Sequence, residues 1–166
     1  GANNYMVSNN SDAESVGGGT QLINGFNSDG FDVGTEHAVN HSGSTYVGWC
    51  WNAGGSTATN NDGSISSQVR ASTTAGFSIV SYTGNGSNNT VGHGLGVTPK
   101  FVTVKMRSSS GNHWVTWVGD SDFNGSNFMY WDTSTSKMSN NPIWNNTVPT
   151  SSVFSVGTDN QTNQSG

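Results

Sequence analysis

The chain has 166 residues, enough for one or two small domains with a core, and a formal net charge of −5 from 5 basic and 10 acidic residues. Ser, Thr, Asn and Gly make up just over half of it and charged residues only 9%, against roughly a quarter in ordinary globular proteins. So few Lys and Arg exclude a nucleic-acid footprint, while six Trp, seven Phe and four Tyr exclude low-complexity disorder, which is poor in aromatics. No run of about 18 apolar residues is present to span a membrane, and no basic-then-apolar signal segment stands at Gly1.

In chain order, the first apolar strand is Thr45-Tyr-Val-Gly-Trp-Cys-Trp51. Cys50, the only cysteine, cannot form an internal disulfide. Between two Trp it reads as a buried, inert thiol, with an intermolecular disulfide as the alternative. Asn52–Thr59 is a Gly/Ser/Thr linker. Strands are then expected at Phe77–Tyr82, Phe101–Arg107, His113–Val118, Phe128–Trp131 and Val153–Val156. Phe101–Arg107 alternates, with Val102, Val104 and Met106 on one face and Thr103, Lys105 and Arg107 on the other. Turn signals separate the strands: Ser28-Asp-Gly30, Asn61-Asp-Gly63, Gly84-Asn-Gly86, Ser110-Gly111 and Asn124-Gly125. Helix signals are nearly absent, because Gly or Asn interrupts every segment. The expected fold is all-β, an antiparallel sandwich or jelly roll.

The chain also repeats itself. Phe31-Asp-Val-Gly-Thr35 returns as Phe154-Ser-Val-Gly-Thr158, a shift of 123 residues. The same shift, without a gap, pairs Asn4 with Asn127, Met6 with Met129, Asn40 with Asn163, and Ser42-Gly43 with Ser165-Gly166. The first copy runs on into Ser44–Trp51, and the second stops at Gly166. A period this long denotes whole domains rather than solenoid turns. Residues 1–51 then read as the C-terminal half of a first repeat (or a donor segment), 52–59 as linker, and 60–166 as a second repeat lacking its last strand. Alternatively, the linker is a long loop and Thr45–Trp51 supplies the missing strand within the same chain.

Several blocks carry a family likeness: Tyr46-Val-Gly-Trp-Cys-Trp-Asn-Ala-Gly-Gly55, Asn61-Asp-Gly-Ser-Ile65, Ala75-Gly-Phe-Ser-Ile-Val-Ser-Tyr-Thr-Gly-Asn-Gly86, Val91-Gly-His-Gly-Leu-Gly-Val-Thr-Pro-Lys-Phe101 and Trp144–Thr158. In order and spacing they resemble the tandem, lectin-like (concanavalin-type) jelly-roll modules of virion-associated proteins from marine and other environmental tailed phages. The resemblance covers essentially the whole chain. It implies a β-sandwich at a virion surface or in an extracellular assembly, and no particular activity.

Few constellations bear chemistry. Asp120-Ser-Asp-Phe-Asn-Gly125 matches the first half of a Ca²⁺ loop, with Asp120, Asp122 and Asn124 as oxygen donors, but Trp131 stands where the bidentate Glu would be; an Asx-rich turn is the alternative. No other cofactor is suggested. His37 and His41 are four apart in a segment that reads as loop, and His93 sits in a Gly-His-Gly turn. No nucleophile elbow occurs and nothing pairs the only glutamates, Glu14 and Glu36, so an enzyme is not expected. Trp114, Trp117, Trp131 and Trp144 either pack the core or stack on sugars; Trp144, with Asn145 and Asn146, is the most loop-like candidate for a glycan contact. The expected partners are copies of the same assembly, through an assembly strand (Thr45, Tyr46, Val47, Trp49, Trp51) and an acceptor edge (Val153, Phe154, Val156). Cell-surface glycans are the alternative.

Overall fold

A computed structural model describes residues 4–15 and 22–166. The chain is almost entirely antiparallel β, with eleven short strands and three helices of four residues each among the described residues. This is an all-β fold compatible with a β-sandwich.

The body lies in residues 58–166, its first strand taking in Ala58 and Thr59, where linker was expected. Strands β3 (Ala58–Asn60), β4 (Ser67–Ser72) and β5 (Phe77–Tyr82) form one sheet in that order. In a second sheet β7 (Phe101–Val104), β8 (Val115–Val118), β9 (Asn127–Tyr130) and β10 (Met138–Ser139) are neighbours in sequence order. Separately, β6 (Asn89–Gly92) pairs with β11 (Val153–Val156), from Val153 opposite Gly92 to Val156 opposite Asn89. A parallel bridge from Ile65 to Val91 links this ribbon to the segment before β4.

Alternation decides which side chains enter the core. Val80 and Tyr82 of β5 and Val102 and Val104 of β7 pack against a buried cluster of Ile65, Val91, Val115, Trp117, Phe128, Ile143, Trp144, Phe154 and Val156. Few aliphatic residues are available, so aromatic rings fill much of this volume. Each large side chain withdrawn from water contributes about 1.5–3 kcal/mol.

Two short helices close one end. Helix α2 (Asn141–Trp144) carries Pro142 in its first turn and ends at Asn145 in the left-handed region, φ 49°, which Asn tolerates better than most residues. Its last turn sinks Ile143 and Trp144 into the core. Helix α3 (Asn160–Asn163) is capped by Asp159, whose carboxylate accepts the Gln161 N–H at 2.9 Å.

The first repeat copies this end of the second. Helix α1 (His37–Asn40) lies 123 residues before α3, and β2 (Phe31–Val33) lies 123 before Phe154–Val156 of β11. The bridge from Tyr5 to Ser15 matches the pairing of Phe128 with Met138. In the first copy, β2 pairs only with β1 (Ile23–Phe26) among the described residues. Burial separates the copies: Phe154 is 5% exposed and Val156 0%, whereas Phe31 is 37% and Val33 39% exposed.

Candidate functional site

Thr45–Trp51 was expected as a strand. Among the described residues, however, it pairs with no strand and makes no backbone–backbone hydrogen bond. The Tyr46 hydroxyl donates to the His37 carbonyl at 2.7 Å and accepts the His41 N–H at 2.9 Å. Gly48 lies against the Phe31 ring. Trp49 meets the Trp51 ring edge-on, and Trp51 stacks on Phe77 with centroids 5.6 Å apart and planes 16° apart. Tyr46, Val47, Trp49 and Trp51 are all exposed, Trp49 by 70%. The reading of Cys50 as buried is corrected: its thiol is exposed, because the segment finds no sheet to cover it.

The second feature is a groove of about 970 Å³ between β5 and β7. Each is an edge strand of its sheet, with no strand partner on the groove side among the described residues. Val80, Tyr82, Val102, Val104 and Phe154 line it and also touch the core, so its floor is apolar. On the outer side, Ile79 and Phe101 are exposed. An edge with free N–H and C=O groups beside an apolar floor is a template for another strand.

Helix α3 closes one end of the groove. The Tyr82 hydroxyl donates to the Thr162 carbonyl at 2.6 Å, and burial pushes this phenol far above its usual range. The His113 N–H donates to the Gln161 side chain at 3.2 Å, and the end of β7 pairs with the start of β8, Val104 opposite Val115. The C-terminal ends of β5 and β7 therefore both point at α3, and the two edges run parallel to each other. Lys105, also on the groove wall, has its ammonium lowered by burial, with Asp132 and Asp12 opposing the shift.

The structure relocates the other candidates. Val153, Phe154 and Val156 pair with β6 on one side and, among the described residues, with no strand on the other, so β11 is an edge strand, and Phe154 and Val156 turn their side chains into the core. Beside its end, the Gly157 N–H donates to the Ile143 carbonyl at 3.0 Å. Trp144 is not exposed to a glycan; it is 3% exposed, with a buried Nε1 that has no hydrogen-bond partner. Its polar neighbours suggested a loop, but the turn of α2 aims the ring inward. Asn145 and Asn146 remain on the surface, both with φ 49°. Asp120 spends a carboxylate oxygen on the Asp122 N–H at 2.9 Å, and Asn124 accepts the Ser126 N–H at 2.8 Å, the bonds of an Asx turn. Among the described residues no three His, Cys, Asp or Glu side chains cluster as metal ligands. His37 and His41 bracket α1, where a loop was expected, with ring centroids 4.5 Å apart. No helix among the described residues is long and apolar enough to cross a membrane.

An antiparallel β fold with a strand-sized groove between two edges thus defines the class. The chain belongs to the family described as a domain of unknown function, DUF7483, whose model matches residues 1–166. No curated protein and no solved structure matches it.

Proposed function

We propose that the chain is a non-enzymatic structural unit of a virion appendage, fibre or similar extracellular filament, a jelly-roll β-sandwich that assembles by strand complementation. The observation that carries this reading is Thr45–Trp51: seven residues, apolar and exposed, with no backbone partner among the described residues. Such a segment gains backbone hydrogen bonds and side-chain burial together when it joins a sheet edge. Donor and acceptor are different surfaces, so the contact is head-to-tail and generates rings or open filaments. Electron microscopy and light scattering on the intact chain and on a deletion of residues 45–51 test it. Ordered polymers from the intact chain alone support the reading; equal polymers from the deletion overturn it. The sugar-binding alternative loses Trp144 to the core, while Trp131 of the same set stays half exposed.

A further inference from the structure

We infer that Asn24 is a modification site: its side-chain amide closes onto the Gly25 nitrogen and is hydrolysed to a carboxylate without an enzyme. The chain holds three Asn-Gly pairs, Asn24-Gly25, Asn85-Gly86 and Asn124-Gly125. Glycine has no Cβ to hinder approach to its nitrogen, so each pair has the local chemistry for this reaction. All three Asn are exposed, and exposure does not separate them. Hydrogen bonding does. The Asn85 side-chain oxygen accepts the Ser87 N–H at 3.0 Å and the Asn89 amide at 2.8 Å, and the Asn85 N–H donates to the Asn163 side chain at 2.9 Å. Its attacking nitrogen, that of Gly86, donates to the Asn163 carbonyl at 2.9 Å. The Asn124 side-chain oxygen accepts the Ser126 N–H at 2.8 Å, and the Asn124 N–H donates to the Asn127 side chain at 3.0 Å. Gly125 is buried, pressed against the backbone of Asn146 and Thr147.

Asn24 has none of these restraints. Its side chain makes no hydrogen bond among the described residues. It lies in β1 where the pairing with β2 slips: Ile23 opposes Val33 and Gly25 opposes Asp32, so Asn24 is the extra residue of a bulge. A bulge disrupts the ladder and frees the backbone locally. β1 and β2 also form a sheet of only two strands, which is marginally stable in water and opens readily. The same place in the second copy is Thr147-Val148, with no amide to lose.

In the first step the Gly25 nitrogen bonds to the Asn24 Cγ, the Cγ–Nδ2 bond breaks, and ammonia leaves with the nitrogen's proton. Water then opens the five-membered imide. Attack at Cγ gives Asp with the ordinary main chain; attack at the backbone carbonyl gives isoaspartate, whose main chain is one methylene longer. Nothing is oxidised or reduced. Either product sets a new negative charge next to Gly25, against which Asp32 lies: a Cβ on Gly25 would stand 3.2 Å from the Asp32 Oδ2. Like charges at this spacing weaken the hairpin further.

Peptide mapping by mass spectrometry of the folded full chain, sampled over time at neutral pH, tests this. Asn24 should convert at least about tenfold faster than Asn85 or Asn124, the factor that a barrier about 1.4 kcal/mol lower gives. Asn24→Gln, which would have to close a larger ring, should stay unmodified at position 24 over the same period. In denaturant the three rates should converge, because the residue that follows is Gly in each case. An Asn24 that does not convert in the folded chain, or an Asn85 or Asn124 that keeps pace with it there, overturns the site. A lead for Asn24 that persists undiminished in denaturant overturns the structural cause, since the neighbouring residues alone would then set the order.

Discussion

Asn40 and Asn163, 123 residues apart, make the same bond: each side-chain amide donates to the carbonyl of the glycine six residues earlier, Gly34 at 2.8 Å and Gly157 at 2.7 Å. The helix that ends at each Asn thereby folds back on the strand before it in both repeats. Only the second is sealed. There the amide also donates to the Ser87 carbonyl and its oxygen accepts the Asn85 N–H at 2.9 Å, locking α3 to the turn after β5, whereas Asn40 is exposed.

Asn163→Ala should therefore destabilise the fold by about 2–4 kcal/mol, because it strands several buried backbone groups at once. Asn40→Ala should cost less than about 0.5 kcal/mol, as surface substitutions do. Urea denaturation of the two variants checks the contrast; equal losses would mean that the first copy is as tightly closed as the second.

Trp144→Phe keeps most of the ring in the core and removes an indole N–H that has no partner. We expect a loss within about 1 kcal/mol, well below the 3–5 kcal/mol typical of Trp→Ala at a packed site. Thermal melting of both variants measures this. The substitution should also leave any glycan-array signal unchanged, since the ring does not reach the surface.

Gly157→Ala drives a Cβ into the Pro142 carbonyl, backbone against backbone, whereas a Cβ at Gly55 meets nothing within 4 Å. The first change should cost about 1–3 kcal/mol, as overpacking does. The second should be neutral or stabilising by up to about 1 kcal/mol through the unfolded chain. Midpoints of denaturant unfolding separate the two.

His93 carries the pH dependence. Its ring is buried, Nδ1 accepts the Leu95 N–H and Nε2 lies 3.2 Å from the Thr150 carbonyl, a pattern that suits the neutral ring. Burial lowers its pKa below the ordinary 6.5 despite that carbonyl and the charge of Asp62. The unfolded chain therefore binds the proton more readily. Stability contributed by the neutral ring is complete above pH 6.5 and is lost as the pH falls below it, until the folded form also protonates. His93→Gln should flatten this slope in melting curves taken from about pH 7.5 to about pH 5; an unchanged slope would assign it to other groups.

Much of the strand set was legible wherever alternation was strong. Phe77–Tyr82 and Val153–Val156 are strands with the bounds that their sequence suggests, and Phe101–Arg107 is a strand as far as Val104. β4, Ser-Gln-Val-Arg-Ala-Ser, gave no signal because its inward residues include Ser67, buried by donating its hydroxyl to the Gly92 carbonyl at 3.0 Å. That partner is 25 residues away and leaves no local pattern. The groove was illegible for a related reason. Alternation in β5 and β7 reports which face is dry, but not which strand stands at a sheet edge. Thr45–Trp51 could be picked out by composition, but not its exposure without a sheet partner among the described residues, and Val153–Val156 drew attention through an apolar run whose Phe154 and Val156 face the core.

The shared orientation of β5 and β7 toward α3 gives the groove a sense of travel. A strand laid between them that is antiparallel to one edge is antiparallel to the other as well, so a single chain direction serves both sheets at once.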